Sequence, residues 1–267
     1  MQTRASMLPR NTLLGLMVPI AALAVGEAAV ASPITSVPPA QCAAATSLWS
    51  TPGGSTTSGG AVEAWACFNL TPGGLTLNLV NVQPNVKSVG QEISAISFHV
   101  SGAQSTGATI GSDTGSLGTI AAGGSYNIVP SAANPLTSWV VSQSGTGISL
   151  SALSGGQPAQ LIIGPDSAGG ISGSGNYSSA NGSIPQHNPS VLELATFVLN
   201  IAGVTPDSTI TDVVFQFGSA PGANLIEGID PVPPDTSVLA SVPAPATIAL
   251  VALGFAGIGF RRNRTRA

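Results

Sequence analysis

The chain has 267 residues, 33 of them glycine, and only 7% are charged, against about 25% in an average globular protein. Six of the seven basic residues lie near the two ends, so that Lys87 stands alone against ten carboxylates between residues 32 and 241. A body with a net charge near −9 excludes the basic surface typical of nucleic-acid-binding proteins, and it disfavours binding to anionic membrane surfaces.

Residues 1–31 have the three regions of a secretory signal peptide. Arg4 and Arg10 supply the positive region, and residues 13–25 form a short apolar stretch. Ala29 and Ala31 flank Val30 as an A-x-A cleavage site, which predicts removal after Ala31. A retained N-terminal anchor is the alternative, which the short apolar stretch and the placement of the cleavage site disfavour.

Cys42 and Cys67 are the only cysteines of the chain. Export would bring them into an oxidising compartment, so a disulfide that closes a loop of about 25 residues is predicted. A catalytic thiol or a metal ligand is the alternative. Neither cysteine has a neighbouring histidine or a C-x-x-C partner, which disfavours it.

From residue 61 onward, apolar and polar residues alternate with the period of a β-strand. Leu75, Leu77 and Leu79 share one face of one such segment. In another segment, Phe98 and His99 lie on opposite faces of the same strand. The strongest of these patterns predict strands at 75–82, 93–100, 126–129, 138–142, 148–153, 159–164, 191–202 and 211–218.

Glycine-rich turns separate these strands, and no segment before the tail has a sustained helical stripe. The pattern predicts an all-β fold, an antiparallel β-sandwich or jelly-roll-like domain. The body would span 32–229, and residues 230–241 form a proline-rich stalk.

The last 26 residues, 242–267, have three parts. A stiff segment with two prolines comes first, an uncharged apolar run at residues 246–260 follows, and an arginine cluster comes last. The residues of the stiff segment are Val242, Pro243, Ala244 and Pro245, and those of the cluster are Arg261, Arg262, Arg264 and Arg266. The uncharged run, residues 246–260, would be about 22 Å long as a helix. It has fewer residues than the roughly 20 that a comfortable membrane span needs. Snorkelling arginines would allow it to cross, with the body outside. An ordinary membrane anchor and a buried helix of a soluble domain are the alternatives.

This order of proline segment, glycine-containing apolar run and arginine cluster resembles a PEP-CTERM sorting signal. The resemblance covers about a tenth of the chain. It implies export by a Gram-negative bacterium, transient handling at the inner membrane by an exosortase-type membrane protease, and release to the cell envelope or an extracellular matrix. Proteins with this signal often accompany exopolysaccharide production, so the resemblance also implies an association with exopolysaccharide. The family usually has glutamate between the prolines, where this chain has Ala244.

Few residues of the body suggest chemistry. His99 and His187 lie outside any recognisable catalytic context, and no G-x-S-x-G elbow is present, so both are predicted to be exposed or loop side chains without a role. Tyr177, in a Gly/Ser-rich loop, is the only plausible exposed aromatic platform for a glycan.

Two acidic clusters could contribute oxygen ligands to calcium, Asp207 with Asp212 and Glu227 with Asp230. No EF-hand spacing is present, and solvated turn residues are the favoured interpretation. The sequence therefore predicts no catalytic residue, metal or cofactor.

The function predicted is that of an exported, non-catalytic envelope or matrix protein. The alternative is a secreted β-sandwich module that binds or hydrolyses carbohydrate. Glycoside cleavage is the one chemistry that carboxylates alone could support, with candidates Glu63, Glu92, Glu193 and Glu227.

Overall fold

The computed structural model describes residues 38–130, 135–167, 171 and 175–231. The signal-peptide residues and the tail fall outside these ranges, so their predicted roles and the domain boundaries at 31 and 241 stay predictions. The site residues concerned are Ala29, Ala31, Val242, Pro243, Ala244, Pro245, Arg261, Arg262, Arg264 and Arg266.

The described residues form fourteen strands and three short 3₁₀ helices, which confirms the all-β class. The strands are β1 (Ser47–Ser50), β2 (Thr56–Thr57), β3 (Gly60–Ala61), β4 (Ala64–Thr71), β5 (Gly74–Asn81), β6 (Ile93–Val100), β7 (Thr109–Ile120), β8 (Tyr126–Ile128), β9 (Val140–Ser144), β10 (Gly147–Ser151), β11 (Ile162–Ile163), β12 (Ser190–Asn200), β13 (Ile210–Phe217) and β14 (Leu225–Glu227). The 3₁₀ helices are Ala40–Cys42, Val89–Gln91 and Ile184–His187. Among these elements there is no helix of the length and apolarity that a membrane span requires.

Twelve strands belong to one branched hydrogen-bonded network, and β2 and β3 form a separate hairpin. One run of the network has the order β1-β4-β5-β12-β7-β8, and the other has the order β14-β13-β6-β10-β9. The short strand β11 joins the runs, because it pairs in parallel with β12 and antiparallel with β6.

The two runs pack face to face. The ring of Phe68 in β4 lies 4.9 Å from that of Phe98 in β6, centroid to centroid, and Phe197 in β12 lies 5.1 Å from Trp139. One large cluster of buried apolar side chains combines residues from both runs. This arrangement is consistent with a β-sandwich, whose core is built from the inner faces of two sheets.

The strongest alternating patterns are confirmed. Leu75, Leu77 and Leu79 of β5 are buried, and β6 has the predicted bounds, with Phe98 buried and His99 exposed. Other predictions need adjustment. The strand expected at 138–142 is Val140–Ser144, and the one expected at 159–164 is reduced to Ile162–Ile163.

Six strands were not among those predicted, and the two long ones are β4 and β7. β4 is buried along most of its length, because a second apolar cluster covers its outer face, so its sequence does not alternate. β7 is the longest strand of the described part of the chain and is rich in Gly, Ser and Thr. A Cβ added at Gly115 or Gly118 would lie 2.7 Å from a side-chain carbon of β12. The glycines therefore allow β12 side chains to pack closely, at the cost of a recognisable strand pattern.

Cys42 and Cys67 form the predicted disulfide, with their Cα atoms 5.3 Å apart. The bond holds the first 3₁₀ helix against the outer face of β4, where Trp65 is almost fully buried. The Asn78 side-chain amide donates a 2.7 Å hydrogen bond to the carbonyl of Gln41 and fixes the same segment. The N-terminal part of the body is thus attached to the sheet covalently and by packing.

The two ends of the described body also meet. Ser50 at the end of β1 and Ile229 after β14 exchange two backbone hydrogen bonds, of 3.0 and 2.8 Å. Ile229, which precedes the predicted stalk, therefore lies beside β1.

Candidate functional site

The outer face of the β13-β6-β10-β9 sheet carries an open cleft of about 720 Å³. Inward side chains of these strands, such as Phe98 and Ile148, fill the core, so the alternate positions are left to solvent. Most of the outward side chains at the cleft are polar, and Val214 is the apolar exception. The side chains that the cleft presents include Ser97, His99, Ser142, Ser144, Ser149 and Asp212.

Strand register arranges these side chains in rows. Ser149 of β10 is the partner of Ser97 in β6 on one side and of Ser142 in β9 on the other. Gly147 is likewise the partner of His99 and of Ser144. Neighbouring strands lie about 4.8 Å apart, so the first row carries three hydroxyl groups at that spacing.

A bulge in β13 places a carboxylate beside His99. The register between β13 and β6 shifts between Thr211 and Val214, and Asp212 in this bulge has φ +52°. Its Oδ2 accepts a 3.0 Å hydrogen bond from the Thr211 hydroxyl and lies 3.8 Å from His99 Nδ1. Both side chains of the pair are more than half exposed. Such a bulge re-aims a side chain at the surface of a sheet.

A smaller pocket of about 270 Å³ adjoins the cleft and shares Asp212 and Val214 with it. Trp49 and Glu227 also line this pocket. The indole N–H of Trp49 donates to the Ser47 hydroxyl at 3.2 Å. The pocket thus brings together one carboxylate from each acidic cluster noted in the sequence. In the described ranges, no three His, Cys, Asp or Glu side chains are grouped in a way that could hold a metal ion.

The prediction that Tyr177 is an exposed platform is wrong. Its side chain is fully buried, packs against Tyr126 at 5.5 Å between ring centroids, and donates a 2.8 Å hydrogen bond to the Gly164 carbonyl. Burial, followed by the nearby Tyr126, raises the pKa of Tyr177 above its usual value. A third apolar cluster, distinct from the one around Trp65 and not indicated by the loop composition, encloses the ring.

His187 was predicted to be an exposed or loop side chain without a role, and the structure shows that it is not exposed. It is only 8% exposed and lies at the end of the third 3₁₀ helix. Its Nδ1 is 2.7 Å from the Pro158 carbonyl, which can only accept, so Nδ1 carries a proton and donates. His187 therefore ties two segments of the fold together.

Glu92 is the least expected polar group. It is fully buried, and neither carboxylate oxygen has a hydrogen-bond partner in the described structure. Burial raises the pKa of Glu92 well above its usual value, because desolvation penalises the charged form. Burial also raises the pKa of half-buried Glu193, although a backbone hydrogen bond from Ile171 opposes the shift. Of the four glutamates considered for glycoside cleavage, only Glu227 lines either cleft.

A comparison with known protein families identifies a motif in the tail. Residues 241–264 match the PEP-CTERM protein-sorting motif. The comparison with curated proteins and the comparison with solved structures gave no match.

The PEP-CTERM match confirms the resemblance drawn from the tail residues. It includes the proline segment with Ala244 and the arginines up to Arg264, and it ends before Arg266. The motif indicates a protein that is exported and sorted by an exosortase, with transient anchoring in the membrane before it reaches the cell surface. No family is recognised for the β-rich body, so its role has to be argued from its own geometry.

Proposed function

We propose that the protein is a non-catalytic component of the cell envelope or extracellular matrix, delivered by its PEP-CTERM signal. The single observation that carries this proposal is the motif at residues 241–264. In this scheme residues 1–31 direct export, and residues 246–260 cross the inner membrane with the arginines inside. An exosortase-type protease then releases the body, a largely antiparallel sandwich with a jelly-roll-like path, near the exopolysaccharide of the host.

The composition of the body supports a non-catalytic role. It has one lysine and no arginine between residues 32 and 241, whereas enzymes acting on phosphates or carboxylates generally need cations to hold developing charge. His187 is committed to the Pro158 carbonyl, and Glu92 is enclosed in the fold. No cofactor is needed for this function.

The test is intact-mass analysis of the protein secreted by a Gram-negative host with an exosortase, alongside a host without one. We expect a chain that begins at Ser32 and ends near Pro245 in the first host only. An intact tail in both hosts would reduce the motif to an ordinary membrane anchor.

The second candidate function is that of a carbohydrate-binding or glycan-hydrolysing module. The polar cleft on the outer sheet face, with Trp49 and two carboxylates beside it, is the observation that favours it. The mature protein should be incubated with β-glucans and with the host exopolysaccharide. Release of reducing ends that is abolished by Glu227→Gln would overturn the non-catalytic proposal. Glu63→Gln, Glu92→Gln and Glu193→Gln complete the series.

A further inference from the structure

We propose that the outer face of β13-β6-β10-β9 is a binding surface for an extended, neutral polysaccharide chain. This inference deepens the proposed function and rests on delivery of the body to the outside of the cell. The occupant is inferred from three features of the face: its row of three hydroxyl groups, its charge and its open shape.

The row of Ser97, Ser149 and Ser142 supplies the polar contacts. Within the described structure, the hydroxyls of Ser97, Ser149 and Ser142 make no hydrogen bond to another protein group, although the three residues are register partners across β6, β10 and β9. A hydroxyl group both donates and accepts. Such a row can therefore exchange hydrogen bonds with the hydroxyls of a sugar chain that crosses the strands.

The charge of the face selects a neutral ligand. No lysine or arginine lines the cleft, and its one carboxylate belongs to Asp212. The body as a whole carries a net charge near −9, which repels a polyanion at low ionic strength. An acidic polysaccharide would also find no lysine or arginine in the cleft to pair with its carboxylates, whereas a neutral polyol needs only uncharged donors and acceptors.

The shape of the face suits a chain rather than a small molecule. Gly147 leaves the second row without a side chain between His99 and Ser144, and a Cβ there would lie 3.2 Å from His99 Nε2. The imidazole therefore lies beside the backbone of β10, and the cleft stays open to solvent. At the β13 side, the adjoining pocket offers the partly exposed ring of Trp49 for stacking against a sugar.

Hydrogen bonds of Gln143 hold one border of the cleft in place before any ligand binds. The Ala108 N–H donates to Gln143 Oε1 at 2.8 Å, and Gln143 Nε2 donates to the Gly145 carbonyl at 3.0 Å. Gln143 thereby ties the segment before β7 to the β9–β10 hairpin. A surface that is already ordered loses less entropy when a ligand binds.

The experiment is affinity gel electrophoresis of the mature, secreted protein. The neutral probes are laminarin, xylan and galactomannan, and the acidic probes are alginate and polygalacturonate. We expect retardation by at least one neutral probe and none by the acidic ones. The double variant Ser97→Ala/Ser149→Ala should bind that probe roughly tenfold or more weakly, because it loses two hydrogen-bonding groups.

The matched control is Ser112→Ala/Ser116→Ala, which removes two exposed hydroxyls from β7 in the other layer. It should bind like the wild type. No retardation by any neutral probe, retardation by acidic probes alone, or equal weakening in both double variants would overturn the proposal. So would a face that instead holds a second copy, seen as a dimer that Ser97→Ala/Ser149→Ala dissociates. The mass of the same preparation reports tail processing, so a failure to bind is distinguishable from a failure of sorting.

Discussion

Glu92 carries a fully buried carboxyl group that has no hydrogen-bond partner in the described structure. Burial raises the pKa of Glu92 and that of Glu193. The folded state therefore binds these protons more tightly than the unfolded state, in which the pKa of a glutamate is about 4.3. The stability that these protons contribute is therefore complete below that pH and is lost as the pH rises through the folded-state values. We expect the free energy of unfolding by urea to be lower at pH 8 than at pH 5.

The variant Glu92→Gln tests the cause, because glutamine resembles the protonated acid and cannot ionise. It should be close to the wild type in stability at pH 4 and more stable at pH 8. Glu227→Gln, which changes an exposed glutamate, is the control and should keep the wild-type pH dependence. A Glu92→Gln curve parallel to that of the wild type would assign the pH dependence to other groups.

Two adjacent glycines provide a second test at the residue scale. Gly123 and Gly124 both have a positive φ, of +95° and +89°, but only a Cβ at Gly124 would collide with the Tyr177 carbonyl. Gly123→Ala should cost about 1–2 kcal/mol, from the left-handed conformation alone. Gly124→Ala should cost clearly more, because the backbone that positions the buried tyrosine has to move.

Urea unfolding of the two alanine variants measures this difference directly. Equal losses of stability would show that the contact between Gly124 and the Tyr177 segment is not tight in solution.

Residue-scale burial was the property least accessible from the sequence. Tyr177 lies in a loop whose composition indicates exposure, and its burial depends on packing against Tyr126 and Ile184. Glu92 looks like a surface residue before a strand, yet the turn that carries it is enclosed. Contacts between segments so far apart in the chain leave no local pattern to read.

At the scale of elements, the disulfide was predictable because export and an even cysteine pair leave one partner for each. Its loss should lower the free energy of unfolding by roughly 3–4 kcal/mol, as the chain-entropy estimate gives for a loop of this length. The measurement is urea unfolding of the wild type with and without reductant.

The double variant Cys42→Ala/Cys67→Ala is the control for the reductant. It should unfold at the midpoint of the reduced wild type and should not respond to reductant. A wild-type midpoint that reductant leaves unchanged would mean that the packing around Trp65 holds the segment without the bond.

Strands were predictable where one face is buried and the other carries exposed residues, as in β6 and β13, and where polar residues alternate with buried leucines, as in β5. Prediction of strands from alternating apolar and polar residues fails when both faces are covered, as in β4. It also fails when glycines take the place of packed side chains, as in β7. The row of Ser97, Ser149 and Ser142 could not be predicted either. It arises from the register of β6, β9 and β10, and β6 is some forty residues away from the other two in the chain.

At the scale of the whole molecule, the tail decides the destination, and Ala244 is its departure from the usual pattern. We expect Ala244→Glu to raise the fraction of secreted protein that has lost the tail, because it restores the residue usual between the prolines. Pulse-chase labelling followed by intact-mass analysis measures that fraction.

Ala240→Glu adds the same charge outside the matched motif and should leave processing as it is. An equal gain in the two variants would trace the effect to added negative charge. No gain from Ala244→Glu would show that alanine already suffices at this position.

The backbone pair between Ser50 and Ile229 has a mechanical consequence. In a chain pulled by its C-terminal end, tension enters the body at Ile229 and passes at once to β1. β1 pairs with β4, and β4 carries the cysteine that is bonded to Cys42. A pull that frees Ile229 next reaches β14, whose three residues pair only with β13 among the described strands. Under load the body would thus yield first at a short edge strand, with the core and the polar cleft face of β6 and β10 still intact.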